Sequence, residues 1–154
     1  MVLDITINAG IVIFFACFME FVAWLMHRYV MHGFLWVLHG DHHSPRGHAF
    51  QKNDLFAVFF SGIAIALFLA GDISGVFYFT SVAIGVTLYG IGYVLFHDIM
   101  FHRRIKVIRL RASTPYLKRI VNAHRFHHQN SSKSEGQAFG FLYAAAKYNV
   151  ERAD

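Results

Sequence analysis

Residues 76–101 read VFYFTSVAIGVTLYGIGYVLFHDIMF, and the number of times this run crosses a membrane decides the fold. About 20 apolar residues are enough to cross the hydrocarbon core of a bilayer. The run is therefore too long for one minimal span and too short for two joined by a turn. As a single helix rising 1.5 Å per residue it is about 39 Å long. It reads as one helix that crosses the membrane and projects from it, carrying His97 and His102 just above the surface.

Two further apolar runs flank it. Residues 5–26 are rich in Ile, Val, Phe and Ala and are interrupted by Asn8, Gly10 and Glu20; residues 55–71 are uncharged. Asp72-Ile-Ser-Gly75 reads as the turn between the second and third runs. The first run starts Met-Val-Leu-Asp, without a basic segment, and leads directly into His27, so it reads as a retained helix rather than a signal peptide. The expectation is a single domain over residues 1–154: an all-α integral membrane protein with about three long transmembrane helices, projecting into a histidine-rich helical cap that holds a di-metal centre. A hydrophobic fraction of 56% against 15% charged residues fits this class better than a soluble domain.

The charges test the topology. Three spans place all 14 Lys and Arg residues on one side, and the presumed outer segments carry Asp4 and Asp72 but no base. The positive-inside rule makes the basic side cytoplasmic. The net charge of +5 is thus a matter of topology and not of nucleic-acid binding. Arg103 to Arg111 reads RRIKVIRLR, which suits a segment lying along anionic lipid headgroups or, alternatively, a docking surface for an acidic redox partner.

The same three-span topology gathers the histidines on that side. His124, His127 and His128 stand at i, i+3 and i+4, as do His39, His42 and His43. On a helix each triplet shares one face. His27 with His32, and His97 with His102, are each offset by five residues. Five residues turn an ideal α-helix by about 140°. Either the helix ends or distorts between the members of such a pair, or the two address different metals. Gly33 is a plausible stop, and Ser44-Pro45 closes a short helix that carries the first triplet. Thr114-Pro115 reads as an N-cap and first helical position, leading through Leu117 and Ile120 to the second triplet. Ten of the 11 histidines fall into these four clusters; His48 is left as a polar loop residue.

Ten imidazoles would serve two metals with four or five ligands each, and imidazole suits iron, zinc or copper. Cys17 is the only cysteine, which excludes a cysteine-ligated zinc or iron–sulfur site and any disulfide within the chain. A metal pair beside apolar helices suits oxygen chemistry on a lipid-soluble substrate. A metal transporter would instead want polar residues through the membrane midplane. Asp41 and Asp98 adjoin His42 and His97 and are candidates to take a metal-bound imidazole's second N–H; an ordinary cap or ion pair is the alternative. Glu20 is either a neutral, hydrogen-bonded residue in a helix contact or an outer partner or proton relay of the metal site. Gly90 and Tyr93, at helical spacing with Val86 beneath His97, are candidate substrate contacts; Gly85, Gly90 and Gly92 equally suit close helix packing. Residues 139–146 are apolar but too short to span, and are expected to form a lid or half-buried helix under the site.

Taken together, HRYVMHG (27–33), HGDHHSP (39–45), FHDIMFHRR (96–104) and AHRFHH (123–128) resemble the bacterial β-carotene hydroxylases of the fatty acid hydroxylase superfamily. Asn53-Asp54-Leu55 and Phe139-Gly-Phe-Leu142 also match, so that the resemblance covers about residues 20–145. It implies a di-iron monooxygenase that hydroxylates carbon 3 of the β-ionone rings of β-carotene. It further implies molecular oxygen as co-substrate, a ferredoxin-type electron donor, and two Fe ions, for which zinc could substitute on purification. The implied ligands are His27, His32, His39, His42, His43, His97, His102, His124, His127 and His128. Phe139 and Phe141 join Gly90 and Tyr93 as candidate substrate contacts. A carotenoid ketolase, or a fatty acyl or sterol hydroxylase, is the neighbouring alternative within the superfamily.

Overall fold

The computed structural model describes residues 2–44, 50–129, 132–134 and 136–149; Pro45 and His48 lie outside them. Helix α1 (Val2–Leu25) runs into a π-helical stretch, π1 (Met26–Phe34), followed by the short α2 (Trp36–His43). Then come α3 (Asp54–Ser74), α4 (Phe77–Tyr93) with a π-helical continuation π2 (Val94–Phe101), and α5 (Pro115–Gln129). No strand occurs among the described residues.

Three helices are long and apolar enough to cross a membrane: Leu3–Phe34, Asp54–Ser74 and Phe77–Phe101. The 76–101 run is thus one helix. The 72–75 segment differs from the sequence reading in that α3 continues through Ser74, and only Gly75, in the left-handed region at φ 69°, ends it. The apolar side chains of the spans point outward. Leu3, Ile5, Ile13, Phe14 and Phe21 of α1 are all more than half exposed, as are Val58, Ile65 and Leu69 of α3. Such an inside-out distribution is stable only where lipid replaces water as the surrounding solvent.

Helix α4 is central. It packs against both α1 and α3, which barely touch each other among the described residues. Gly85 permits the α1 contact: a Cβ there would lie 2.8 Å from the Val12 carbonyl oxygen and 3.1 Å from the Ala16 nitrogen. Polar residues inside the spans find partners across this seam. Ser81 donates to the Asn8 amide oxygen at 2.6 Å, and the Tyr89 hydroxyl donates to Glu20 Oε2 at 2.9 Å.

Because α1 and α3 meet only through α4, a cleft opens between them, floored by Val86, Tyr89 and Tyr93. Met19, Ala23, Met26 and Met31 wall it on one side, and Phe56, Phe60 and Ala64 on the other. The hollow is about 120 Å³ and almost wholly apolar.

Above the spans, α5 packs on π2, with Met100, Ile120, Ala123, Ala144 and Tyr148 forming a small second core. Thr114 caps α5 as its sequence indicates, accepting the Leu117 N–H at 3.2 Å. Residues 103–113 cross the surface without helix, exposing Ile105, Val107, Ile108 and Leu110 among the bases. Residues 136–145 also form an irregular strap rather than a helix; only Ala146–Tyr148 makes a 3₁₀ turn. The strap departs from helix because the amides of Phe141, Leu142 and Tyr143 all donate to Glu20 Oε1, at 3.0, 2.9 and 3.0 Å. Amides so used cannot close helical turns.

Candidate metal centre

The five-residue histidine offsets are explained by the two π-helical stretches. A π-helix closes i→i+5 hydrogen bonds, one residue wider than the α-turn, so residues five apart stack on one face. The Leu35 N–H donates to the Val30 carbonyl at 2.9 Å in π1, and the His102 N–H donates to the His97 carbonyl at 3.0 Å in π2. Of the alternatives open from spacing alone, distortion is the one that occurs. His27 and His32 reach the same cluster because of it. Gly33, at φ −102° and ψ −127°, then breaks the helix and turns α2 back over the site.

The histidines converge in two groups. Ligand atoms of His27, His32, His39, His43 and His127 lie within 4.8 Å of one another; those of His42, His102, His124 and His128 form a second such set. His97 joins the second through His42, with Nε2 atoms 3.2 Å apart. Each triplet is divided between the groups. On α2, His39 and His43 serve the first and His42 the second; on α5, His127 serves the first and His124 and His128 the second. The groups touch where the His43 and His128 rings stack at 4.4 Å.

Six of the ten rings are oriented from behind through Nδ1 by partners among the described residues. The partners are the Phe139 carbonyl for His27 (2.9 Å), the Lys133 carbonyl for His32 (3.2 Å) and the Gln137 carbonyl for His127 (2.6 Å). Side chains serve the others: Asn53 Oδ1 for His39 (2.7 Å), Gln51 Oε1 for His42 (2.8 Å) and Asp98 Oδ1 for His97 (2.9 Å). All six partner atoms are oxygens, so Nδ1 carries the proton and donates. A neutral ring then presents only a lone pair at Nε2.

Those lone pairs face each other. Nε2–Nε2 separations among these six rings are 3.1 Å for His27–His39 and 3.2 Å for His32–His127 and His42–His97; His43 Nε2 lies 3.2 Å from those of His32 and His39. Two nitrogens about 2.1 Å from a common ion stand about 3.0–3.4 Å apart at right-angled to tetrahedral angles. These edges fall in that range; the His102–His124 pair, with Nε2 atoms 2.6 Å apart, is closer still. Acceptors crowded without donors are stabilised by a cation, and the residues present fit one. His128 Nε2 makes the same point, being buried without a hydrogen-bond partner among the described residues.

Burial keeps the rings neutral. Desolvation is the leading cause of every lowered histidine pKa in the cap: His39 is pushed down to about 2, His102 and His127 to about 3, and His42 and His124 move the same way. An unfolded chain takes up these protons near pH 6.5, whereas the folded metal-free chain resists them until far lower pH. Stability is therefore full above about pH 6.5 and falls as the pH drops below it. The thermal midpoint of chelator-stripped protein in detergent is expected to decline steadily from pH 7 to pH 5.

The candidate outer residues divide. Asp98 takes the His97 N–H and is gripped in turn by Arg104 at 3.4 Å, which also makes a two-pronged pair with Asp54, both contacts at 2.7 Å. Asp41 does not reach His42. Its Oδ2 accepts the Lys52 N–H at 2.7 Å, and Gln51 occupies the place behind His42. Glu20 makes no hydrogen bond to a histidine among the described residues; it binds the strap and Tyr89. Gln51, Asn53 and Arg104 escape sequence reading because uncharged amides and one base in a basic run carry no spacing signal. Asp98→Asn leaves the ring without its carboxylate, and the second group's metal affinity is expected to fall about 10–100-fold, as measured by competition with a chelator.

Tyr93 stacks on His97 at 4.3 Å and lines both the membrane cleft and a smaller hollow of about 50 Å³ against His27, His39, His97 and His124. Phe139 and Phe141 line that inner hollow, and Phe139 packs on His27, His32 and His127. Gly90 lies exposed on the lipid side with open space around it and lines neither hollow. Its small size therefore makes no room for substrate there, and Gly85 is the glycine that serves packing.

A family model described as fatty acid hydroxylase matches residues 12–146. A β-carotene hydroxylase of Pseudescherichia vulneris is 44% identical over 140 residues, covering 90% of this chain and 77% of the relative. One from Pantoea ananas is 42% identical over 137 residues, covering 89% and 77%. The chloroplastic β-carotene 3-hydroxylase 1 of Arabidopsis thaliana is 37% identical over 129 residues, covering 80% of this chain and 40% of the relative. No solved structure matches the chain.

Proposed function

The chain belongs to the fatty acid hydroxylase family, and from that premise we propose that it is a membrane di-iron monooxygenase that hydroxylates carbon 3 of the β-ionone rings of β-carotene, giving β-cryptoxanthin and then zeaxanthin. The observation that carries the reading is the pair of five-histidine groups meeting an apolar hollow that shares Ala23, Met31 and Tyr93 with the cleft between α1 and α3. All ten clustered histidines are assigned as ligands, and residues 1–154 act as one domain. Two irons in these groups would supply activation of molecular oxygen, using two electrons from a ferredoxin-type donor and two protons, one oxygen atom leaving as water. Imidazole ligands also admit zinc.

The rest follows from the chain's own residues. Ala23, Met31 and Tyr93 line both hollows, so a ring entering sideways from the bilayer passes between them toward His27 and His97. The long polyene remains among lipid and the side chains of the cleft. Phe139 and Phe141 exclude water from the inner hollow. Outer oxygens hold the Nδ1 protons of His27, His32, His39, His42, His97 and His127, so that each ring keeps its lone pair directed inward. The basic residues on the histidine side support an active site facing the cytoplasm from the inner membrane, where lipid headgroups meet residues 103–111.

Expression in cells that accumulate β-carotene tests the proposal. Pigment extracts are expected to gain β-cryptoxanthin and zeaxanthin. Unchanged β-carotene, with the protein present in the membrane, loaded with iron and supplied with reductant, would overturn it. Keto-carotenoids in place of hydroxylated ones would move the assignment to a ketolase.

A further inference from the structure

The two histidine groups are oriented by different parts of the chain. Among the described residues, three of the four Nδ1 partners of His27, His32, His39 and His127 in the first group are backbone carbonyls of one stretch: Lys133, Gln137 and Phe139. The outer partners found for the second are Gln51 and Asp98, neither of them from that stretch. The stretch continues into the strap, which Glu20 fastens to α1 by three backbone hydrogen bonds. Four donors converge on the Glu20 carboxylate once Tyr89 is included. Gly140 allows the approach, since a Cβ at that position would stand 2.9 Å from Glu20 Oε1. On its far side the strap is held by α5, where the Tyr116 hydroxyl donates to the Leu142 carbonyl.

We infer that Glu20 is a positioning residue for one metal position only: by anchoring residues 141–143 it holds the carbonyls that orient His27, His32 and His127, and its loss empties the first position while the second stays filled. This rests on the two-metal reading above. A carboxylate inside an apolar span is expensive unless its hydrogen bonds do something. Here they fasten an irregular segment that has no helix or sheet of its own. Asn53, behind His39, is the one outer partner found for the first group that would remain in place. Two carbonyls attached directly to Phe139 and Gln137 lie within four residues of the anchor, so release of the anchor is transmitted along a very short path.

The test counts metal rather than turnover. Detergent-purified wild type, Glu20→Ala, Glu20→Gln and Gly140→Val are stripped, supplied anaerobically with excess ferrous iron, desalted and assayed for iron per chain. Wild type is expected to take up two ions, and Glu20→Ala and Gly140→Val one. Glu20→Gln keeps a carbonyl oxygen for the three amides and is expected to stay near two. Gly140→Val leaves the carboxylate in place and displaces only the strap, which guards against misfolding of the alanine variant. Adding His102→Ala to Glu20→Ala is expected to remove the remaining ion. Two ions retained in both Glu20→Ala and Gly140→Val, or none in either, overturns the inference. A wild type that takes up fewer than two overturns the dinuclear reading itself, and this inference with it.

Discussion

Hydroxylation of β-carotene is expected to fall below detection in the His128→Ala protein, while the protein still inserts into the membrane and keeps one of its two ions. His128 Nε2 is buried with no hydrogen-bond partner among the described residues. Leaving a polar atom so placed costs roughly 1–3 kcal/mol in a folded protein. A residue kept purely for stability would not be placed this way, whereas a ligand would be, because the ion replaces the missing partner. The variant thus separates two roles. If His128 binds metal, alanine abolishes product and lowers metal content, yet the metal-free protein melts no earlier than metal-free wild type beyond the loss of ring packing. Pigment analysis, metal content and thermal midpoint measured together decide the matter. Near-normal product would remove His128 from the ligand set.

The second large effect is on the fold. Gly85→Val is expected to destabilise the protein by about 1–3 kcal/mol or more, the range for overpacking a close contact, and to impair metal binding as a consequence. The atoms a side chain would strike are the Val12 carbonyl oxygen, the Phe15 Cβ and the Ala16 nitrogen, all fixed by the backbone of α1, so no rotamer change can make room. α1 must tilt away from α4. Because α1 continues into π1, the tilt displaces His27 and His32 as well as Glu20. Gly90→Val, one and a half turns further along α4, is the control: a side chain there meets nothing within 4 Å, and the change is expected to stay within about 0.5 kcal/mol. Equal melting temperatures for the two variants would sink this account of the α1–α4 seam.

What can be read in a single chain and what cannot divide along a physical line. The spans are legible because the bilayer acts on each segment separately: twenty apolar residues partition into lipid whatever lies elsewhere. The single crossing by residues 76–101 and the gathering of the histidines at one end of the bundle follow from that local property. Spacing made each histidine triplet visible, since a helix puts i, i+3 and i+4 on one face. Local rules went no further. The five-residue offsets left a choice between distortion and separate metals, and only the π-helical hydrogen bonds at Val30 and His97 made that choice.

Everything that depends on what a side chain meets was decided by tertiary packing. Glu20 was conspicuous as a carboxylate in a span, but its partners lie far along the chain, Tyr89 at 69 residues and the three strap amides at more than 120. Those bonds also explain why residues 139–145, expected as a lid or a half-buried helix, form an irregular strap. Asp41 and Asp98 look equivalent beside their histidines, yet helix rotation turns only Asp98 toward a ring and leaves Gln51 to serve His42. Gly85 and Gly90 likewise differ only in which face of α4 they occupy. The division of each triplet between two groups could not be read from either triplet alone, because a ligand set is defined by where lone pairs converge. By itself the sequence determined the membrane spans, the side on which the histidines gather and the kind of chemistry they offer. Tertiary structure alone decided how those histidines divide, since that convergence is set by the packing of helices far apart in the chain.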